Sequence, residues 1–155
     1  MEFELRLALV QFQPGYTSII HLTTKNNCCS YGERIPAVYF WSSASAATKN
    51  RLHICSAVSG NGNYCSDSKK TVRRGHWTKV SITQRRDGAR FKYTVKVGND
   101  VIRSVYNTQP REFYNVKVYS ADPWSTNANA YIKNLVIDPN EGMSPINAYY
   151  LSMDH

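Results

Sequence analysis

The sequence predicts an all-β protein, and more narrowly an antiparallel β-sandwich, on three observations. Apolar residues alternate with polar ones in about nine segments, which is the period of a half-buried strand. Clusters of Gly, Asn, Pro and Ser separate these segments, as turns would. No stretch shows the apolar period of an amphipathic helix. Many short strands joined by turns are typical of a sandwich or jelly roll.

The predicted strands follow one another along most of the chain. They are EFELRLALVQF, SIIHLTT, IPAVYFW, RLHICSAV, TKVSITQ, RFKYTVKV, DVIRSVY, NVKVYS and AYIKNLVID. Residues 1–138 are therefore predicted to form one sandwich domain. Residues 139–155 lack a strand pattern outside 147–151, so we expect a C-terminal tail or linker, either packed back on the sandwich or leading to a further segment.

The hairpin between residues 79 and 96 has the best-defined register. Asp87-Gly88 is a preferred two-residue hairpin turn, and it sorts apolar from polar side chains onto two faces. A slip of one residue would exchange those faces. The predicted pairs are Arg85–Arg90, Thr83–Lys92, Ser81–Thr94 and Lys79–Lys96 on the polar face, and Gln84–Phe91, Ile82–Tyr93 and Val80–Val95 on the apolar face.

The chain is basic, and this hairpin concentrates the charge. It has 19 Lys and Arg against 11 Asp and Glu, a net charge of +8, which favours a polyanionic partner. Like charges directly opposite each other destabilise a sheet, so the face is predicted to bind an anion from outside. The alternative is a solvated face whose charges block strand-to-strand aggregation. The predicted anion-binding residues are Lys79, Arg85, Arg90, Lys92 and Lys96, with Arg73 and Arg74 leading into the same strand.

Aromatic and amide side chains in two loops form a second candidate surface. Trp124 lies in the loop SADPWSTN, where its ring could stack on a sugar or anchor the loop to the sandwich rim. Asn63 lies in the Gly/Asn-rich segment SGNGNY. We expect both to assist the basic hairpin. Trp41 and Trp77 alternate with apolar neighbours and are predicted to be core residues.

The four cysteines leave several pairings open. A hairpin closed by Ser59-Gly60-Asn61 places Cys55 opposite Cys65, which predicts a disulfide, with two reduced thiols as the alternative. Cys28 and Cys29 are sequence neighbours that could bridge to each other, stay reduced or pair between chains in a homo-oligomer. No Cys-x-x-Cys or zinc-type His spacing occurs, so metal binding through Cys and His is not expected.

Catalytic motifs are missing from the sequence, so enzyme activity is not expected. A glycosidase needs two carboxylates flanking one bond, and the only acidic i, i+2 pair is Glu2 and Glu4. There is no G-x-S-x-G and no phosphate-binding Gly-rich loop. His21 lies within an apolar strand and is predicted to be a hydrogen-bonded imidazole at the edge of the core. No apolar run approaches the roughly 20 residues of a membrane span, so no membrane insertion is expected.

Four segments, in this order, resemble the C-terminal half of laminin-G and pentraxin-type domains: RGHWTKVSITQ, FKYTVKVGNDVIRSV, NVKVYSADPW and AYIKNLVI. In those domains a Trp opens a strand, a Gly-containing turn closes a hairpin, and the last strand reads G-I-x-N-L-x-I. Trp77, the turn 98–100 and residues 132–137 occupy these places, whereas Ala130 replaces the Gly. The resemblance covers about residues 2–138. It implies a concanavalin-A-like jelly roll of a secreted, mostly invertebrate subgroup.

Together, the resemblance and the basic hairpin predict a non-enzymatic extracellular module that binds an anionic glycan or matrix surface. Nucleic acid is the less favoured polyanion, and the first residues lack a signal-peptide pattern. The alternative is a structural or assembly module of a matrix or coat, acting through protein–protein contacts. The resemblance implies no cofactor other than Ca²⁺, which some such domains hold with Asp and Asn. The Ca²⁺ candidates here are Asn61, Asn63 and Asp67 in one loop, or Asp122, Asn127 and Asn129 in another.

Overall fold

The computed structural model describes residues 1–9, 14–42, 50–138 and 150–151. Within these ranges all regular secondary structure is β-strand, and no helix is long and apolar enough to cross a membrane. The strands are β1 (Glu2–Leu7), β2 (Gly15–Thr23), β3 (Ala37–Ser42), β4 (Arg51–Val58), β5 (Asn61–Asp67), β6 (Trp77–Asp87), β7 (Arg90–Val97), β8 (Asp100–Asn107), β9 (Lys117–Ser120), β10 (Ala130–Val136) and β11 (Tyr150–Leu151). Residues 139–149 and 152–155 of the predicted tail lie outside the described ranges.

Two sheets form the fold, which confirms the predicted β-sandwich. The five-stranded sheet has the order β10-β1-β6-β7-β8, and the six-stranded sheet has the order β11-β9-β2-β3-β4-β5. Neighbouring strands are antiparallel except β11, which pairs parallel to β9. The chain crosses from one sheet to the other after β1, β5, β8, β9 and β10, so strands distant in sequence become neighbours. Crossings between two packed sheets are typical of a jelly roll, and they link the consecutive antiparallel strands β2–β5 of one sheet to β6–β8 of the other.

The core lies between the two sheets and contains the apolar half of each alternating strand. Because successive strand residues point to opposite faces, Phe3, Leu5 and Leu7 of β1 face inward while Glu2, Glu4 and Arg6 face outward. The same alternation fills the core from the other strands. The larger fully buried apolar side chains from those strands are Ile20, Leu22, Val38, Phe40, Leu52, Ile54, Val58 and Val80. Each outer face is thus left to polar and aromatic residues.

The β6–β7 hairpin forms, but the predicted register is wrong by two residues. The turn is Gly88-Ala89, so Asp87 lies opposite Arg90 and Arg85 opposite Lys92. Gly88 has φ of 62°, and a positive φ at the first turn residue is the pattern of a type II′ turn, which takes Gly there. A shift of two residues keeps every side chain on its predicted face. The observed pairs are Val80–Val97, Ser81–Lys96, Ile82–Val95, Thr83–Thr94, Gln84–Tyr93, Arg85–Lys92, Arg86–Phe91 and Asp87–Arg90.

The cysteine hairpin is confirmed. The Ser59-Gly60 turn connects β4 to β5, Cys55 pairs with Cys65 across the ladder, and a disulfide joins them. Cys28 and Cys29 are bonded to each other across a cis peptide bond, so the first of the open alternatives is the one observed. No cysteine is free. An intermolecular bond through Cys28 or Cys29 would therefore require this bond to be opened.

Candidate functional site

The predicted basic residues of the hairpin lie together on the outer face of the five-stranded sheet. β6 contributes Lys79 and Arg85, and β7 contributes Arg90, Lys92 and Lys96, all of them exposed. They share a face because they alternate with the buried Val80, Ile82, Tyr93 and Val95 along the same two strands. We call this surface the cationic face.

Lys79 is partly neutralised by its neighbour on β1. Its Nζ lies 2.8 Å from Glu2 Oε2, and a second such pair, Lys133 with Glu4, lies 3.3 Å apart on the same face. The hydrogen bond from Lys79, with one from Ser81, holds the pKa of Glu2 below its ordinary value. Glu2 and Glu4 are therefore ion-pair partners for lysines on the same face, and Lys79 contributes less to it than its position in the sequence suggests.

Aromatic stacking positions the charge near the hairpin turn. The guanidinium of Arg90 lies 3.6 Å from the ring centroid of Tyr106 on β8. Tyr106 in turn donates a hydrogen bond of 2.8 Å to Asp87 Oδ2, which raises the pKa of its phenol. A guanidinium stacked on a ring keeps its N–H donors in its own plane, where they remain accessible to an anion.

Lys92 and Lys96 have no acidic partner among the described residues of this face. Within the described ranges neither forms an ion pair. Lys92 lies opposite Arg85 on one side and Tyr106 on the other, and Lys96 lies opposite Ser81 and Val101. Thr94 lies between them on β7, so hydroxyl groups separate the two charges.

Arg73 and Arg74 do not join this cluster near the turn. They lie in the connection from β5 to β6, where Gly75 N donates to Leu7 O at the far end of the sheet. About eight residues of β6, roughly 25 Å of strand, separate that end from Arg85. Arg73 is exposed, whereas Arg74 is partly buried and donates to Asn50 Oδ1 at 3.3 Å.

Trp77 is not a core residue, contrary to the prediction. It is 38% exposed on the outer face of the five-stranded sheet, where the guanidinium of Arg6 lies 5.0 Å from its ring centroid and the Nζ of Lys133 lies 4.3 Å from it. Arg6 also lies 4.8 Å from the ring of Tyr131. The sequence did not predict this cation–π group because the pairing of β1 with β6 and β10 is non-local.

Trp124 and Asn63 lie on the other sheet and cannot assist the cationic face as predicted. Trp124 packs against the rings of His21 and Tyr119, each with a centroid distance of 5.6 Å, and stays 41% exposed. The amide oxygen of Asn63 accepts a hydrogen bond from Arg34. Trp124 therefore anchors its loop, and the amide of Asn63 holds an internal contact.

A buried polar network lies beneath Trp124. His21 Nδ1 donates to Asp122 Oδ2 at 3.0 Å, and His21 Nε2 lies 2.6 Å from the carbonyl oxygen of Glu33. Both ring nitrogens thus lie within hydrogen-bonding distance of an oxygen atom. Burial raises the pKa of Asp122, but hydrogen bonds from His21, Ser18 and Ser125 outweigh it and hold the pKa below its ordinary value. His21 and Ser18 are fully buried, so this network is structural.

Four rings cluster on the outer face of the six-stranded sheet. Tyr16 packs against Trp41 at 4.4 Å and His53 at 4.7 Å, and Tyr39 lies 6.4 Å from Tyr16. Burial raises the pKa of Tyr39 to about 12. Trp41 therefore faces outward rather than into the core as predicted, because its strand neighbour Phe40 takes the inward position.

The two candidate Ca²⁺ loops lie at separate places on the six-stranded sheet. Asn61 lies on β5 and Asp122 follows β9, with β2, β3 and β4 between them. Asn61 Oδ1 accepts from the backbone of Asn63 at 2.8 Å, and both carboxylate oxygens of Asp122 accept hydrogen bonds within the network. In the described part of the chain, the group of His, Cys and acidic residues with metal-ligand spacing is instead His53, Cys55 and Cys65.

In comparisons with known proteins, the chain matches no protein-family model, no curated protein and no solved structure.

Proposed function

We propose that this protein is a non-enzymatic extracellular binding module with a laminin-G-like jelly roll, and that its cationic face binds an anionic glycan or matrix surface. The observation that carries the proposal is the side-by-side exposure of Arg90, Lys92 and Lys96, of which the two lysines lack acidic partners in the described ranges. Arg forks onto sulfate or carboxylate groups, and Lys adds point charges.

The spacing of these cations favours a polymer over a small ion. Lys96 lies four positions after Lys92 on one strand, which is about 13 Å. One sulfate or phosphate reaches only one of them, whereas an extended polyanion contacts both. The hydroxyl groups of Thr94 and Ser104, 3.5 Å apart, lie between the two lysines and offer hydrogen bonds to sugar hydroxyls.

The two disulfides support an extracellular setting, because such bonds persist in oxidising compartments and are rare in the cytosol. That setting favours sulfated or carboxylated glycans over nucleic acid as the polyanion. In the alternative function, an assembly module linked through Cys28 or Cys29, the bond between these neighbours would first have to open.

The test is elution from immobilised heparin in a salt gradient. The variant K92E/K96E removes the two unpaired cations, and K25E/K117E changes two exposed lysines that lie off the cationic face, at the end of β2 and on β9. Each variant lowers the net charge by the same amount, from +8 to +4, because two reversals of two charges each are made. We expect K92E/K96E to elute at much lower salt than K25E/K117E.

Equal elution of the two variants would mean that only net charge matters, and it would reject the cationic face as a site. Binding to single-stranded nucleic acid but not to heparin, with a steep salt dependence, would replace the glycan by nucleic acid. A covalent dimer in non-reducing mass measurement, with no glycan retention, would favour the assembly module.

A further inference from the structure

Four side chains that carry possible metal-ligand atoms occupy adjacent positions on the outer face of β4 and β5. His53 and Cys55 are two residues apart on β4, and Cys65 and Asp67 are two residues apart on β5. The ladder sets Cys55 opposite Cys65 and His53 opposite Asp67. Residues two apart on a strand share a face, so the four side chains form the corners of one small rectangle.

The distances within this rectangle match those of a metal site. The ligand atoms of His53, Cys55 and Cys65 all lie within 4.8 Å of one another, and His53 Nε2 lies 3.1 Å from Cys55 Sγ. In a tetrahedral Zn²⁺ site the Zn–N and Zn–S bonds are about 2.1 and 2.3 Å, which places the ligand atoms about 3.5–3.8 Å apart. Small side-chain rotations therefore bridge the difference.

Asp67 occupies the position of the supporting carboxylate in such a site. His53 Nδ1 lies 2.7 Å from Asp67 Oδ1, which leaves Nε2 as the nitrogen directed at the sulfurs. Metal-bound His side chains usually donate their other ring N–H to a carboxylate, which fixes the tautomer and the ring orientation. The side chain of Asp67 is 61% exposed and that of His53 is 19% exposed, whereas Cys55 is buried, so solvent reaches the rectangle from the side of Asp67.

The sulfurs of Cys55 and Cys65 are bonded to each other in this structure and are not metal ligands in that state. We propose that reduction of the Cys55–Cys65 disulfide creates a Zn²⁺ site made of His53 Nε2 and the two cysteine sulfurs. Asp67 orients the imidazole, and the fourth coordination position is left to water.

A dithiol is the reductant of the Cys55–Cys65 disulfide. The dithiol forms its own disulfide while its two hydrogens pass to Cys55 and Cys65 as thiols. Zn²⁺ then displaces one proton from each thiol, so two protons leave per ion bound. The hairpin can tolerate this change, because the disulfide closes a short ring and short rings gain the least stability from closure.

The test uses Co²⁺ as a spectroscopic substitute for Zn²⁺. The full chain carries C28S/C29S, which removes the other pair of cysteines. It is reduced with a dithiol, the dithiol is removed under anaerobic conditions, and the reduced protein is titrated with Co²⁺. We expect thiolate-to-cobalt charge transfer and the visible bands of tetrahedral Co²⁺, all bleached by one equivalent of Zn²⁺. The oxidised protein should give none of these bands.

Single substitutions assign the ligands. H53A should weaken Co²⁺ binding at least 100-fold, and D67N about 10–100-fold, as expected for loss of a supporting carboxylate. H76A is the matched control, because His76 is exposed and lies outside the rectangle. It should bind like the C28S/C29S parent.

Equal Co²⁺ binding by H53A and H76A, or no tetrahedral bands at all, would overturn the proposal. If the reduced chain unfolds, Zn²⁺ must restore its β-sheet circular dichroism, and failure to do so would also overturn it. The site lies on the six-stranded sheet, away from the cationic face, so the heparin experiment and this one succeed or fail separately.

Discussion

The two outer faces of the sandwich arise from the same alternation of apolar and polar residues, yet they differ in how far their polar side chains are exposed to solvent. On the five-stranded sheet Lys92 and Lys96 point into solvent. On the six-stranded sheet Ser18 and His21 are completely buried. The difference comes from the connection between β9 and β10, whose Thr126 and Ala128 form backbone hydrogen bonds with Ser18. The alternation along a strand therefore predicts on which side of the sheet a side chain lies, but not whether that side chain is exposed to solvent.

Loss of the buried imidazole is the most severe test of this contrast. His21→Ala leaves Asp122 with its charge buried and its main partner gone, and removal of one member of a buried pair typically costs about 3–5 kcal/mol. We expect a fall of that size in the free energy of unfolding, measured by urea denaturation at neutral pH. His76→Ala, at an exposed position, should stay within about 0.5 kcal/mol of the parent.

We call the outer face of the six-stranded sheet, over which the β9–β10 connection lies, the covered face, and the outer face of the five-stranded sheet the open face. A loss below about 1 kcal/mol for His21→Ala would mean that the covered face tolerates substitution as well as the open face does. The contrast between the two faces would then be one of geometry without energetic consequence.

Acid should weaken the covered face in a defined direction. The pKa of Asp122 is lower in the fold than its ordinary value near 3.9, so the unfolded chain takes up its proton first as pH falls. The stability contributed by this carboxylate is present above about pH 4 and is lost as pH drops through the folded pKa. Asp122→Asn should cost about 1–3 kcal/mol above pH 4, and the gap to the parent should narrow toward pH 2.

The measurement is urea denaturation of both proteins between pH 2 and pH 5. A gap that stays constant down to pH 2 would show that the charge of Asp122 does not stabilise the network.

The open face should tolerate even charge reversal. Lys92→Glu replaces a like-charge cross-strand pair with Arg85 by an opposite-charge pair, so we expect a gain of a few tenths of a kcal/mol in unfolding free energy. Lys96→Glu, opposite Ser81, should change it by less. Thermal unfolding at low and high salt measures both, and the gain should fade with salt. A loss above 1 kcal/mol would contradict the solvated character of this face.

Local turn chemistry made much of the fold predictable. The Cys55–Cys65 bond followed from a short hairpin loop, and the shared face of the five basic residues survived an error in the turn. That error arose because both Asp87-Gly88 and Gly88-Ala89 are allowed turns, and the sequence does not distinguish a primed turn with Gly second from one with Gly first. The two turns give pairing registers that differ by two residues. Each side chain therefore keeps its face of the sheet but has a different partner on the neighbouring strand.

Non-local contacts were not predictable. His21 and Asp122 are 101 residues apart, and no local pattern pairs them. The sequence around Trp77 predicts a core residue, whereas in the fold β1 and β10 place Arg6 and Lys133 over its ring. The contact of His53 with Asp67 is intermediate in how far it could be predicted. It lies two residues along each strand from the Cys55–Cys65 pair, whose register was predicted. Linear spacing of metal ligands does not reveal such a cross-strand group.

The position of the Cys55–Cys65 bond has a consequence for self-association. β5 is the last strand of the six-stranded sheet, and an outermost strand that peels away exposes backbone amides and carbonyls to other copies of the chain. The covalent tie to β4 holds β5 in place, so strand exchange between molecules would require much wider unfolding of the sheet. The disulfide of this hairpin therefore disfavours pairing of β4 with a strand of another copy as well as closing a ring.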